Sequence, residues 1–503
     1  MMRNIRILLA ISLFSMGSAF GQTTNGEILL DTGNLTVIRL HGTHSERGYA
    51  YGYLMADKII DMYTGYILPQ FGSYISLAQT LIAQGTHFNI HQEYVDEAIG
   101  VVNGMADAGA DTTGISYIDM LVANCLLDIR SMGGLKHKIS GPGCSSLVDW
   151  GDATVGTSLS GSPVVARHLD WSTNAVLVRN NVIVVHIPSE ADEQPWLLIG
   201  YAGQMSALSG LNSSGLSVFQ HQLSDFIGSP VSNMGYIPIW FCIREALEKK
   251  DPNGDGNSDV LDVKHVVSQS VNGFADGYIL VACANPDSVA DSLTALVAEL
   301  APVAPVHTFR GNEFPDSIPG DNLYAANYEI KRNNHYHFCS RYNNVIGAIG
   351  SGVLLGIHEN WTLMRDYSSQ SGVNVQFMQY APAEKMLAVS VYKNYTNACL
   401  QQPSTFDTDT LFEISTEIKV QQLNTGEIII HPNPASDFFS LKNLTENTTI
   451  HALRIYDQQG REVAVFTDVL WGKRINIDFL PKGKYIIVVE TDSGKMTGKL
   501  VVY

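Results

Sequence analysis

Along the first third of the chain, apolar residues recur every three or four positions, the period of a helix with one buried face. From about Leu40 to Met132 this predicts a helical layer. Thr43 and Glu46 stand at capping-box spacing ahead of a helix that runs through Ile60. Tyr94, Val95, Ala98, Ile99, Val102 and Met105 predict a second helix, and Ile118 to Ile129 a third. After Pro142 the pattern shortens to β-rich runs separated by Gly, Ser, Asn and Asp: Ser145 to Trp150, Pro163 to Leu169, Val182 to Ile187, Trp196 to Tyr201 and Leu216 to Gln220. These predict an antiparallel meander. Helical periods return at Ile237 to Lys250 and Val263 to Val271, followed by a strand at Tyr278 to Ala284, more helix, and strands at Val373 to Tyr380 and Met386 to Tyr392. Helices bracketing two runs of strands suggest a layered α+β domain. Residues 401–426 are polar and read as a linker, and 427–503 are almost all strand and turn, a small β-sandwich.

With 503 residues and 45% hydrophobic content, two or three domains are expected. A net charge of -18, with no Lys/Arg-rich run to offset it, argues against nucleic acid as a partner. Arg3 and Arg6, the apolar run Ile7 to Phe14, and the small residues Gly17, Ser18 and Ala19 read as a secretory signal over residues 1–22. No later segment reaches the roughly 20 consecutive apolar residues of a membrane span, so no transmembrane segment is expected in the mature protein. Six scattered cysteines resemble no compact disulfide scaffold. If Cys144 stays a free thiol, at most two bridges can form among the rest. A disulfide at Cys144 would favour a catalytically inactive surface-binding protein.

The candidate chemistry centres on "GPGCSSLVDW", residues 141–150. Small residues around the Gly143–Cys144 bond let its carbonyl be approached closely. Attack by the Cys144 thiol, an acyl shift from nitrogen to sulfur and hydrolysis would leave Cys144 as a new N-terminus. Its free amine, titrating at roughly 7.7 to 8.0, then serves as the base. The next apolar run, "SPVVARHLDWS", carries Arg167 and Asp170. Asp170 could orient the amine, and Arg167 could depress the thiol pKa or hold a substrate oxygen. Asn212, in the Gly-bracketed turn "GLNSSGL", is a candidate oxyanion donor. Asn327 and Arg341 follow, with Asn334 competing for the amide role. The loop "DPNGDGNSDVLD" has EF-hand spacing, with oxygen donors at Asp251, Asn253, Asp255, Asn257, Asp259 and Asp262, and Gly256 at the turn. It suggests a structural calcium ion, with Asp262 in place of the usual glutamate. No cofactor is expected for catalysis.

Two resemblances extend this reading. "HPNPASDFFSL", "YDQQGRE", "LPKGKYIIVV" and "GKLVVY" resemble, in order, the C-terminal sorting domain of type IX secretion substrates. That implies export through the type IX machinery, to the medium or the outer cell surface. "LHGTHSERGYAYGYLMADKI", "GCSS", "ARHLDW", "GLNSSGL" and "AANY…SRY" resemble the N-terminal nucleophile hydrolases of the acyl-coenzyme A:6-aminopenicillanic acid acyltransferase, acid ceramidase and choloylglycine hydrolase group. The resemblance implies a four-layer αββα sandwich, cut into residues 23–143 and 144–400. It makes Cys144 nucleophile and base, with Arg167 and Asp170 in support. Asn212 and Asn327 form the oxyanion hole, and Arg341 orients Asp170 or the substrate. The implied reaction is cleavage of a linear amide: an N-acyl amino acid, N-acyl amine, bile-acid conjugate or ceramide-like lipid. A phospholipase B-like lipid hydrolase and an acyltransferase are the alternatives within the group.

Overall fold

The computed structural model describes residues 25–132, 143–223, 227–285, 293–312, 318–332, 339–350, 352–369, 373–413, 428–442, 450–457, 462–466, 473–491 and 494–503. The chain forms two units, one ending at Glu413 and the other beginning at Ile414. The expected signal segment lies outside the described residues.

In the first unit nine strands lie side by side in the order Gly26–Asp31, Leu35–Gly42, Asn181–Pro188, Trp196–Tyr201, Ser209–Asn212, Ser217–Gln222, Tyr278–Cys283, Ala295–Leu300 and His307–Arg310. Leu35–Gly42 runs parallel to Asn181–Pro188, and the other pairings are antiparallel. A second sheet has the order Asn322–Ala325, Gly143–Asp149, Val164–Asp170, Asn374–Ala381, Met386–Val391 and Ser404–Asp407.

Alternation along each strand sends side chains to two faces, and both faces are apolar here. Val148, Val165, Met378 and Val389 of the second sheet meet Ile183, Leu197, Phe219 and Val281 of the first. The outer face of the larger sheet, with Val184, Leu198, Val218 and Leu280, is covered by helices that include His44–Met62, Gln92–Asp107, Leu126–Ser131 and Ile239–Glu248. The outer face of the smaller sheet, with Leu147, Ala166, Tyr324 and Phe377, is covered by Ser340–Ile349 and Ile357–Tyr367. The layers are therefore α, β, β, α.

The Thr43–Glu46 capping box forms, with Thr43 N–H donating to Glu46 Oε2 at 2.8 Å. The helix it starts touches Gln92–Asp107 backbone to backbone. A Cβ on Gly52 would lie 1.9 Å from Val101 O, and one on Gly104 2.0 Å from Tyr49 O.

Several expectations need correcting. Two strands precede the first helix, and Leu40 belongs to the second of them. The expected meander is divided: the Cys144 and Arg167 strands join one sheet, and Asn181 to Gln222 the other. The stretch after Tyr278–Cys283 read as helix contributes Ala295–Leu300, His307–Arg310 and Asn322–Ala325 as strands. In "TALVAEL", Ala, Leu and Glu favour a helix locally, but pairing on both sides makes it a strand. The linker begins later than expected, because Ser404–Asp407 pairs with Met386–Val391 and Thr408–Phe412 is helical.

The second unit has a three-stranded and a four-stranded sheet, with Ile430, Phe439, Leu453, Ile487 and Leu500 in its core. This is the small β-sandwich expected from the alternation.

Candidate active site

Tyr201, Ser209, Gln222 and Tyr278 all lie at one end of the strands of the larger sheet, where neighbouring strands begin or end. Gly143 and Asp170 are paired at an end of the smaller sheet. Ser146 Oγ and His221 Nε2, 2.8 Å apart, join the two sheets and bring the start of the Cys144 strand to the Gln222 end of its neighbour. Cys144 is fully buried and faces Leu169 across the ladder. Arg167 lies two residues along that partner strand, on the same face, a diagonal within reach of a long side chain.

Five of the expected residues meet here. Arg167 Nη2 donates to Cys144 Sγ at 3.4 Å and to Gln220 O at 2.8 Å. The Cys144 backbone N–H donates to Asn327 Oδ1 at 2.9 Å. Arg341, near the start of its helix, donates through Nη1 to Cys144 O at 3.0 Å and to Asp170 Oδ2 at 3.4 Å, and through Nη2 to Asn327 Oδ1 at 2.6 Å. Asn327 Nδ2 donates to Gln222 O at 2.6 Å, and Asn374 Nδ2 to Asp170 Oδ1 at 3.0 Å. Each backbone atom flanking the Cys144 side chain is thus held by a side chain, and the thiol faces a guanidinium.

Burial pushes the Cys144 thiol up to about 11, opposed by the positive charge of Arg167. Burial likewise pushes Asp170 up to about 6, opposed by Arg341 and by the Asn374 hydrogen bond. The Asp170 shift is upward, so its stabilising contribution is full below the ordinary carboxylate value and fades as pH rises through about 6.

Asn212 does not join this cluster. Its Nδ2 donates to Leu247 O and Ser258 Oγ, and its Oδ1 accepts from Ser214 N–H and Leu216 N–H. From Leu216 the chain runs the length of Ser217–Gln222 before reaching the thiol, about 20 Å at roughly 3.4 Å per residue. The turn chemistry of a Gly-bracketed Asn explains its placement. Asn334 lies outside the described residues.

Sequence reasoning missed Gln220, Gln222 and Asn374, which hold Arg167, Asn327 and Asp170. Gln220 and Gln222 act through their main-chain carbonyls, which leave no mark in the sequence, whereas Asn374 acts through its side-chain amide. All six cysteines are free thiols.

The acidic loop lies between Ile239–Glu248 and Val260–Ser268. Asp251 accepts from the Gly254, Asp255 and Gly256 N–H groups, and Asp262 from those of Asn253 and Asp259. Asp259 caps the following helix, Asn253 Nδ2 donates to Asp255 Oδ2, and Asp255 Oδ1 accepts from Asn257 N–H. Burial raises Asp262 to about 6, with Asp259 and Asp255 adding to the effect.

The first unit has the αββα layering that its resemblance to the N-terminal nucleophile hydrolases implied. The second unit is more specific: residues 429–503 match the model of the secretion system C-terminal sorting domain. The chain is accordingly an exported one, secreted or held at the outer cell surface. No described helix is long and apolar enough to cross a membrane.

Protein dcd1B of Dictyostelium discoideum is 23% identical over 242 residues, 45% of this chain and 46% of that protein. The chain thus spans about half the length of this curated relative. Among solved structures, the N-acylethanolamine-hydrolyzing acid amidase ortholog of Caenorhabditis elegans is 12% identical with a TM-score of 0.35, covering 52% of this chain and 100% of that one. A variant of conjugated bile acid hydrolase from Clostridium perfringens is 12% identical with a TM-score of 0.34, covering 54% and 94%. Penicillin V acylase from Agrobacterium tumefaciens is 12% identical with a TM-score of 0.32, covering 52% and 85%. At that distance their activities remain their own.

Proposed function

We propose that this chain is a self-processing cysteine amidohydrolase acting on linear amides. The observation that carries the proposal is the clamp on Cys144: Asn327 on its N–H, Arg341 on its carbonyl and Arg167 at its sulfur. In self-processing, Cys144 Sγ adds to the Gly143 carbonyl, the Gly143–Cys144 C–N bond breaks, and water hydrolyses the resulting thioester. Gly143 leaves as a carboxylate, and the amine of Cys144 stays beside Asn327 Oδ1. That amine then takes the thiol proton as Sγ attacks a substrate amide, and returns it to the leaving amine. A narrow apolar cavity lined by Met62, Tyr66, Trp171, Leu177, Tyr201 and Trp240 suits the acyl group of such a substrate. Trp171 directly follows Asp170, and Trp240 Nε1 donates to the side chain of Gln220. N-acyl amino acids, N-acyl amines, bile-acid conjugates and ceramide-like amides all have this form. The test is hydrolysis of an N-phenylacetyl or N-octanoyl amide by the self-processed protein beside Cys144→Ala. Turnover is expected only in the former, and equal turnover in both would remove Cys144 from the chemistry.

We also propose that the 251–262 loop binds one structural calcium ion, with Asp251, Asn253, Asp255, Asn257, Asp259 and Asp262 as its oxygen donors. The loop's position between two helices supports this reading, as does the raised Asp262 carboxyl, pushed up by burial first and by Asp259 and Asp255 in addition. Calcium at about 100 times its Kd would stabilise the fold by about 2.7 kcal/mol. The melting temperature in excess calcium is expected to exceed that in chelator by several degrees. Identical melting temperatures, with no calcium uptake in calorimetry, would contradict it.

A further inference from the structure

Arg130 stands near the end of the short helix Leu126–Ser131 and is 7% exposed. Its Nε and Nη1 have no hydrogen-bond partner among the described residues. A guanidinium this deep normally finds a carboxylate or carbonyl, because an unmet buried charge is costly. Asp128 and Asp276 are held by other donors. Asp128 accepts from Ile239 N–H and Tyr278 OH, and Asp276 from Gln222 Nε2 and Gly277 N–H. Burial weakens Arg130 as a base, and the charges of Asp276 and Tyr278 offset this only in part.

The position of this residue relative to the thiol is informative. Tyr201, Gln222 and Tyr278 mark the same end of three strands of the larger sheet, with Tyr278 next to Gln222 and Tyr201 two strands away on the other side. The reacting cysteine is tied to the Gln222 strand, since Gln222 O holds Asn327, which holds Cys144 N–H. Tyr201 lines the apolar cavity, and Tyr278 OH donates to Asp128, two residues before Arg130 in the same helix, which puts that helix end on the Tyr278 side. Leu126 lines the cavity, and Arg130 follows it by four residues, on the same face of the helix and one turn along.

Building on the amidohydrolase reading, we propose that Arg130 receives the carboxylate of the leaving amine, so that the preferred substrates are N-acyl amino acids rather than neutral N-acyl amines. With the acyl group toward Tyr201 and the scissile carbonyl at Cys144, the amine side of the substrate extends toward Tyr278. A carboxylate there supplies an acceptor oxygen to the unmet Nε or Nη1 of the guanidinium, a charge-assisted hydrogen bond in place of an orphaned donor.

The test uses a matched pair, N-phenylacetylglycine and N-phenylacetylethanolamine, which differ chiefly in the carboxylate. The self-processed protein is expected to favour the glycine amide in kcat/KM by about 10- to 100-fold. In Arg130→Met that preference disappears through KM, while hydrolysis of the ethanolamide is unchanged. Self-cleavage of the variant reports that it has folded. If Arg130→Met fails to cleave itself, Arg130→Lys, which keeps the charge without the guanidinium's planar donors, is expected to retain part of the preference. Equal turnover of the two amides by the unmodified protein overturns the carboxylate assignment and leaves the amidohydrolase reading intact. So does an equal loss on both amides in a folded variant. Turnover of neither amide by a fully processed protein would instead overturn the amidohydrolase reading, and this assignment with it.

Discussion

Arg341→Met is expected to slow self-cleavage by about 100- to 1,000-fold, the usual effect of removing a donor from a preorganised polar site. Arg341 holds Cys144 O, Asp170 Oδ2 and Asn327 Oδ1 at once. Without it, Asp170 keeps Asn374 as a donor but loses its cationic partner. Breaking a buried ion pair from one side costs about 3 to 5 kcal/mol. Asp170 softens that cost by protonating, since burial has already raised it to about 6. The variant should therefore fold, unfold at lower denaturant and accumulate as uncut chain. Time-resolved intact mass reads the cleavage, and urea titration reads the stability. Cleavage at the unmodified rate would show that the clamp on the Cys144 carbonyl is structural only.

The second large effect is expected at Arg167. Its guanidinium is the main influence opposing the burial that pushes the thiol up to about 11. A neighbouring opposite charge is generally worth about 1 to 3 pKa units. Arg167→Met should therefore reduce the thiolate at a given pH by about 10- to 1,000-fold, a direct conversion of that range. The pH dependence of iodoacetamide labelling at Cys144 should move upward, and kcat/KM should fall with it. Arg167→Lys, which keeps the charge but loses the planar geometry, should recover part of both. Unchanged labelling in Arg167→Met would mean that the guanidinium serves only to hold Gln220 O.

How much of this was legible in the sequence follows from the kind of constraint each residue satisfies. Arg167 and Asp170 stand out because charges inside an apolar run need a reason. The Thr43–Glu46 cap was readable because both partners lie within one turn. Asn212 misled for the opposite reason. A Gly-bracketed Asn satisfies its own hairpin through local hydrogen bonds, and its sequence is the same whether or not an oxyanion lies nearby. The roles of Gln222 and Asn374 were hidden because they arise from pairing between distant segments. Likewise, nothing local says that Leu35–Gly42 lies parallel to Asn181–Pro188, or that Ser404–Asp407 closes the smaller sheet. The layered α+β architecture was legible from the alternating periods, but the allocation of strands to sheets was not.

The central claim is that Cys144 becomes an N-terminus by its own attack. It is tested most directly by intact mass and N-terminal sequencing of the protein folded under non-denaturing conditions, beside Cys144→Ala. The predicted result is a fragment beginning with Cys144 in the unmodified protein and an uncut Gly143–Cys144 bond in the variant. The same uncut bond in both would contradict the account, because the cysteine would then lack the free amine on which its chemistry depends.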